Sequence, residues 1–240
     1  HRKNYIIRNI QKSMNFSEKH TSLIVQGSQA TEFLQGQITI DTEKISNEDF
    51  KPACICNNKG RVMATFWIKK IENGFKIAIL EELIASFEEH MNKYIPFFDA
   101  ELKIDVQDDF KKDLDSTEWM KFLINKGIVE VNKQTSSKFT PHELNYQNNK
   151  LIDFSKGCFN GQEVIARMEY RGKLKFALKI ADNLKDEVKQ SSLHNKEGKK
   201  VGEILSREGK YGFIFFKNKN DQTESCLLYT SDAADDLTRV

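Results

Sequence analysis

The stretch that carries the most chemistry reads F-S-K-G-C-F-N-G-Q-E-V-I-A-R over residues 154–167. Its nucleophile, Cys158, is set between Gly157 and Gly161, residues that let a backbone turn sharply and approach a ligand closely. A short helix is predicted from Gln162 to Met168, and Lys156 stands just ahead of the thiol. The partial positive charge of a helix N-terminus and a neighbouring ammonium both favour thiolate, so this spacing points to a reactive cysteine. The competing reading of the same residues is a small apolar filler in a tight loop. Cys54 and Cys56 form a second pair of thiols. On a strand they face the same side, as a metal or redox pair would. No second cysteine pair and no nearby histidine completes a tetrahedral site, so core packing is the expectation and no metal is predicted.

The elements that must hold these groups follow from hydrophobic spacing. Residues 21–25 read as a strand, and Ser28 as the cap of a short helix that runs to Leu34 and ends at Gly36. Two apolar runs within 53–70, split by N-N-K-G at 57–60, predict a hairpin with Gly60 where a positive φ is needed. A further strand spans 75–80. Leu83, Phe87, Met91 and Tyr94 then recur at helical spacing over 81–95, closed by Pro96. Leu102, Ile104 and Val106 alternate as a strand with charge on its other face. The polar run at 108–117 and the Asn-rich run at 145–150 read as surface connections. Short β-like runs at 174–180, 201–205 and 211–216 predict a small all-β module beyond a boundary near Gly172. No internal repeat is evident, and no G-x-G-x-x-G, Walker A or H-E-x-x-H pattern.

Composition bounds the rest. Of 240 residues, 39% are hydrophobic and 30% charged, a polar-rich globular composition long enough for one large domain or two modest ones. The 37 basic and 35 acidic residues leave +2, which makes no global case for nucleic acid or anionic lipid. Lys196, Lys199, Lys200, Arg207 and Lys210 cluster in what reads as solvated loop, so direct nucleic-acid binding is not expected. No apolar stretch reaches the roughly 20 residues that cross a bilayer, and nothing resembles a signal peptide's core, so no membrane is expected. Four scattered cysteines suit a reducing, cytoplasmic setting. Residues 1–13 read as read-through ahead of Met14, with a basic excess that weakly resembles a transit peptide. Residues 226–240 turn to a Ser/Asp/Ala style that resembles a translated transposon adapter. A non-native tail is therefore expected there, with Cys226 functionless and the native C-terminus missing.

The signature around the thiol resembles that of a known family. K-G-C-F-N-G-Q-E at 156–163 is similar to the K-G-C-x-x-G-Q-E signature of the YgfZ family, folate-binding proteins related to the glycine-cleavage T-protein. The matching residues are Lys156, Gly157, Cys158, Gly161, Gln162 and Glu163. F-L-Q-G-Q-I-T at 33–39 followed by Asp41 is similar to the family's early F-L-Q-G-x-x-T-x-D segment. N-K-G-R-V at 58–62 looks like its hairpin and P-H-E at 141–143 like its P-x-E element, so the resemblance spans about residues 21–217. Phe159 stands where tyrosine is common and lacks its hydroxyl.

What the resemblance implies is an α+β fold with T-protein-like folate-binding subdomains around a central opening over residues 14–172. A partial C-terminal β-barrel would follow over 173–225, truncated by the tail at 226–240. The implied cofactor is tetrahydrofolate or a related reduced folate. Glu143 matches the carboxylate that accepts the pterin's paired N–H donors, and Arg167 is a candidate for the folate's carboxylates or for an ion pair on a helix. By the same resemblance the protein would support iron–sulfur cluster assembly or repair. Its partners would be iron–sulfur proteins such as tRNA methylthiotransferases, with Cys158 as the essential thiolate, in redox chemistry or as a transient cluster ligand, and no classical turnover of its own. The alternative is aminomethyl transfer to tetrahydrofolate. Against it, the T-protein carries an aspartate after its hairpin, whereas G-R-V-M-A-T at 60–65 holds no carboxylate.

Overall fold

The computed structural model describes residues 14–107, 111–171, 176–182, 184, 192–194 and 199–217. The boundary at Gly172, the 1–13 segment, Lys196 and the 226–240 tail with Cys226 lie outside them. In chain order the elements are β1 (His20–Gln26), α1 (Ala30–Gln35), β2 (Lys51–Cys56), β3 (Val62–Ile71), β4 (Gly74–Leu80) and α2 (Ile84–Met91). There follow β5 (Glu101–Ile104), α3 (Ser116–Lys126), α4 (Gln162–Arg171), β6 (Ala177–Ala181), β7 (Ser192–His194), β8 (Lys200–Glu208) and β9 (Tyr211–Phe216).

The first sheet is antiparallel in the order β2-β3-β4-β1-β5, and both of its faces are covered. Ala53, Ile55, Ala64, Phe66 and Ile68 turn toward Phe33 and Leu34 of α1 and Phe87 and Met91 of α2. The alternate residues Cys54, Cys56 and Trp67 turn to a second core with Trp119, Met120 and Leu123 of α3. Burial on both sides explains why β2 and β3 read as nearly continuous apolar runs. The second core also takes Leu205, Phe213 and Phe215 from the C-terminal sheet, whose order is β6-β9-β8-β7. Among the described residues those strands form an open four-stranded sheet, not a closed barrel.

Several local expectations change. Ser28 does not cap α1; Gly27 packs on the backbone of Asp99 and Ala100, and the Ser28 hydroxyl donates to the Asp99 carboxylate instead. A charge-assisted bond outcompetes a cap here. The helix expected over 81–95 ends at Met91, and Pro96, which has no N–H to give a longer helix, stands instead at the start of a separate 3-10 turn over Ile95–Phe97. On edge strand β5 only Leu102 reaches the core. Ile104 and Val106 run past its rim and are exposed, while Asp105 turns inward to Lys76 (2.9 Å) and Ser22 (3.0 Å). Burial by itself would raise the Asp105 carboxyl, but hydrogen bonds from Lys76 and Ser22 hold it below its ordinary value.

The polar run at 108–117 does not announce α3, yet the helix begins inside it. Asp115 and Glu118 form a reciprocal capping box, and Gly127 closes the helix with φ 64°. The Asn-rich run at 145–150 is more than a surface connection. Tyr146 is fully buried, its hydroxyl 2.6 Å from Thr65 Oγ1 and donating to the Val129 carbonyl. No helix among the described residues is long and apolar enough to cross a membrane.

Candidate functional site

Cys158 stands exposed on a loop whose other residues are fastened from two sides. On one side the loop closes the end of α1. Lys156 Nζ donates to the carbonyls of Gln35 (2.7 Å) and Ile38 (2.6 Å), and Asn160 donates through its backbone N–H to the Gly36 carbonyl (3.2 Å) and through Nδ2 to Gln37 Oε1 (2.8 Å). The last carbonyls of a helix lack intrahelical donors, and an ammonium there also complements the helix dipole. On the other side the loop packs on the hairpin turn. Gly161 has φ +81°, and a Cβ there would lie 2.5 Å from the Asn57 carbonyl oxygen and 3.0 Å from Gly60 Cα. A Cβ on Gly157 would meet nothing within 4 Å, so of the two glycines beside the thiol only Gly161 is demanded by the backbone.

The early F-L-Q-G-Q segment, the hairpin and the signature, far apart in sequence, thus meet at the loop that carries the thiol. Lys156 is itself 7% exposed, with its ammonium 5.1 Å from the centroid of the buried Phe159 ring. Its hydrogen bonds go to carbonyls, and none goes to the thiol, so its observed work is anchoring rather than activation. Burial pushes the ammonium down to about 8, against the opposing charges of Asp41 and Asp153. A lysine whose folded value lies below its unfolded one costs the fold its full charge-burial term below about 8, and that cost fades as pH rises toward 10.5. Wild-type stability is therefore expected to gain a positive slope between about pH 8 and 10.5, measured by urea midpoints. The slope should vanish in Lys156→Met; an identical slope in both proteins would refute the assignment.

α4 begins at Gln162, whose N–H donates to the Phe159 carbonyl (3.1 Å), and extends past the expected Met168 to Arg171. On it Glu163 and Arg167 form an i,i+4 pair of 2.8 Å, both largely exposed. Such pairs are worth about 0.3–0.5 kcal/mol, so Arg167 can leave its partner for a ligand carboxylate at small cost.

Glu143 is fixed by residues that the motif comparison did not single out for it. Its Oε2 accepts from Thr140 N–H (2.7 Å), Thr140 Oγ1 (2.9 Å) and Arg61 Nη1 (3.0 Å), while the Thr140 hydroxyl accepts from the Glu143 N–H (3.3 Å). The legible signal was T-P-H-E at 140–143, a capping-box pattern. Oε1 has no partner among the described residues. A carboxylate with one oxygen triply engaged offers an incoming ring one open acceptor, not the two-point grip the resemblance implies. Next to it, buried His142 bonds Glu169 of α4 through Nε2 (2.9 Å), tying the P-H-E element to the helix that carries Arg167.

A separate cavity of about 530 Å³ opens where α3 meets β8, walled by Leu80, Trp119, Met120, Leu123, Glu130 and Ser206 among others. The Glu130 carboxylate at its edge is held at both oxygens, by His20 Nε2 (2.9 Å) and Trp119 Nε1 (2.8 Å). Neither Glu143 nor Cys158 lines this cavity. Cys54 and Cys56 are fully buried side by side. Hydrogen bonding to Cys54, with burial, pushes the Cys56 thiol well up and keeps it protonated, the opposite of what a metal ligand needs. Among the described residues no three His, Cys, Asp or Glu side chains group to hold a metal ion.

No family model matches the chain. By sequence it is similar to a protein of Buchnera aphidicola subsp. Schizaphis graminum named tRNA-modifying protein YgfZ, at 24% identity over 71% of this chain and 73% of that one. The protein of the same name from Buchnera aphidicola subsp. Acyrthosiphon pisum is also 24% identical, over 72% and 74%. A shorter match, 42% identical over 64 residues, covers 27% of this chain and 19% of the tRNA-modifying protein YgfZ of Pectobacterium carotovorum. In fold the chain is similar to the glycine cleavage system aminomethyltransferase T of Bartonella henselae, with a TM-score of 0.60 at 11% identity, covering 82% of this chain and 76% of that one. The resemblance read from the signature is borne out: the chain is similar to YgfZ proteins and shares a mixed α/β architecture of antiparallel sheets with the aminomethyltransferase.

Proposed function

We propose that this chain is a folate-binding factor that supports tRNA modification by maintaining iron–sulfur enzymes, with Cys158 as its working thiolate. The observation that carries the reading is the presentation of that thiol: it is exposed, while Lys156, Phe159, Asn160 and Gly161 around it are anchored or packed. A side chain meant only to pack would be buried, and a merely tolerated one would not need so constrained a support. The name borne by the sequence relatives supports the tRNA-modification part.

The reduced folate fits Glu143 and Arg167 in a specific way. Glu143 Oε1 accepts one ring N–H, Arg61 and Thr140 hold the carboxylate still, and Arg167 turns from Glu163 to the ligand's carboxylates. When bound, the folate supplies one-carbon or redox capacity; the thiol side of the work belongs to Cys158. Residues 14–172 make up the folate-binding part around a central opening and 173–225 part of a barrel, in a cytoplasmic protein whose partners are iron–sulfur enzymes such as tRNA methylthiotransferases. Aminomethyl transfer is the second reading, favoured by the structural likeness. Against it, the strand after the hairpin offers Ala64 and Thr65 in place of a carboxylate, and Thr65 Oγ1 is committed to Tyr146 and the Val131 N–H.

The function is tested in cells lacking their native factor, by the methylthiolated-nucleoside content of tRNA when this chain is expressed. Restoration is expected; a soluble, folded chain that restores nothing turns the reading to one-carbon transfer. Glu143→Gln, which keeps the side chain's shape, and Glu143→Ala are each expected to weaken reduced-folate binding by about 1–3 kcal/mol. Calorimetry with unchanged affinity in both would move the folate elsewhere.

A further inference from the structure

The first sheet ends in an open edge. In the order β2-β3-β4-β1-β5, strand β5 has β1 as its one neighbour, so its other side offers N–H and C=O groups for pairing. Of the five large apolar side chains that are exposed among the described residues, Phe97, Ile104 and Val106 lie on this strand or close to it in sequence. The parity of the edge is set by β1. The Asp105 N–H donates to the Ser22 carbonyl (2.9 Å), and successive residues of an antiparallel strand turn their backbone groups to opposite sides. Those of Glu101 and Lys103 therefore face β1, and those of Leu102 and Ile104 face away from it.

The side chains of β5 carry a charge pattern that complements itself. Glu101 and Lys103 share one face of the strand, about half exposed and 3.4 Å apart. A lone edge lysine repels an incoming strand, but here an acid and a base stand on either side of Leu102. Two copies of β5 paired antiparallel join their outward groups when the two-fold axis passes through one of the strand's residues. With Glu101 or Lys103 on the axis, that residue faces its own copy, like charge against like. With Ile104 on the axis, Lys103 faces Asp105, a buried carboxylate already held by Lys76 and Ser22. With Leu102 on the axis, Leu102 faces itself, Ile104 faces Ala100, and Glu101 faces Lys103 on both sides. Opposite charges at directly facing positions stabilise a strand pair, and like charges destabilise it. At the ends of this ladder Asp99 comes opposite Asp105, whose charge Lys76 answers within its own chain (2.9 Å).

We infer that β5 is an interaction surface for a second copy of this chain, the two strands pairing antiparallel about a two-fold axis at Leu102, with Glu101 of each copy facing Lys103 of the other. The first sheets of the two copies then run on as one. Val106 comes opposite Phe98, whose backbone is already extended (φ −132°, ψ 152°), so the exposed apolar residues of the rim meet apolar residues of the second copy. The surface involves neither Glu143 nor Cys158, and it does not rest on the folate reading.

The test is sedimentation equilibrium of the full chain from micromolar to millimolar concentration, where a reversible monomer–dimer equilibrium is expected. Glu101→Lys and Lys103→Glu should each weaken the dimer by about fivefold or more, because each sets like charges face to face twice. The double exchange, Glu101→Lys with Lys103→Glu, should return the constant to within about twofold of wild type. Ile104→Pro removes an N–H that faces away from β1, so it should abolish the dimer and leave the urea midpoint of the chain near wild type. Ile104→Lys sets a charge on the same edge with the backbone intact, and should also abolish the dimer. A chain that stays monomeric to millimolar concentration overturns the inference, as does a dimer whose constant is unchanged in both Ile104 variants. Failure of the double exchange to recover the dimer overturns the register at Leu102.

Discussion

Replacing Cys158 by alanine is expected to cut the methylthiolated-nucleoside content of tRNA restored by this chain by about tenfold or more, while leaving the folded protein almost unchanged in stability. Both halves follow from the same geometry. The thiol is exposed and contributes no core contact, so its removal should lie within about 0.5 kcal/mol of wild type by urea denaturation. Cys158→Ser separates chemistry from shape: a hydroxyl of the same size should fail as well, because it neither ligates iron like a thiolate nor forms a disulfide. Full restoration by the alanine variant would demote the thiol to a surface residue and remove the central element of the proposed mechanism. Cys54 and Cys56 serve as internal controls. Both are sealed in the core, so rapid alkylation in the native protein should label Cys158 ahead of either.

Gly161→Val should have the largest structural effect of any single change near the site, destabilising by about 2–4 kcal/mol. Two penalties coincide. The backbone at φ +81° is one that a β-branched residue rarely adopts, and the new Cβ would meet the Asn57 carbonyl at 2.5 Å, a backbone atom that cannot swing aside. Relief requires the signature loop to lift off the hairpin, which would also release Cys158 from its support. The urea midpoint should therefore fall together with the function, and the loop's Cys158 should alkylate at a changed rate. Gly157→Ala provides the comparison, since a Cβ there meets nothing, and its stability should stay near wild type. Equal midpoints for Gly161→Val and wild type would mean that the loop and hairpin do not pack as described.

The two apolar runs within 53–70 were enough to find the hairpin of β2 and β3, and N-N-K-G was enough to find its turn, because both signals are local. The signature at 156–163 was legible for the same reason, as was the start of α4 at Gln162. Helix α3 was also written locally, in Asp115 and Glu118, but the polar residues before it masked the cap. Other features have no local sign. Asp105 faces inward because Lys76 and Ser22 happen to lie beneath it, and Ser28 leaves its helix because Asp99 is brought to it by the close approach at Gly27.

The amino-acid sequence by itself determined which residues carry chemistry here: one thiol in a glycine-marked loop, a carboxylate in a T-x-x-E box, and two thiols of strand parity that share a face. Only the tertiary structure decided what each does. It exposed Cys158 and buried Cys54 and Cys56, turned Lys156 to the end of α1, and spent one oxygen of Glu143 on Arg61 and Thr140. The physical reason is that residue type and spacing set what a group is able to donate, accept or pack. Burial and the identity of its partners depend on contacts between segments as distant as Gln35 and Lys156, which no local pattern encodes.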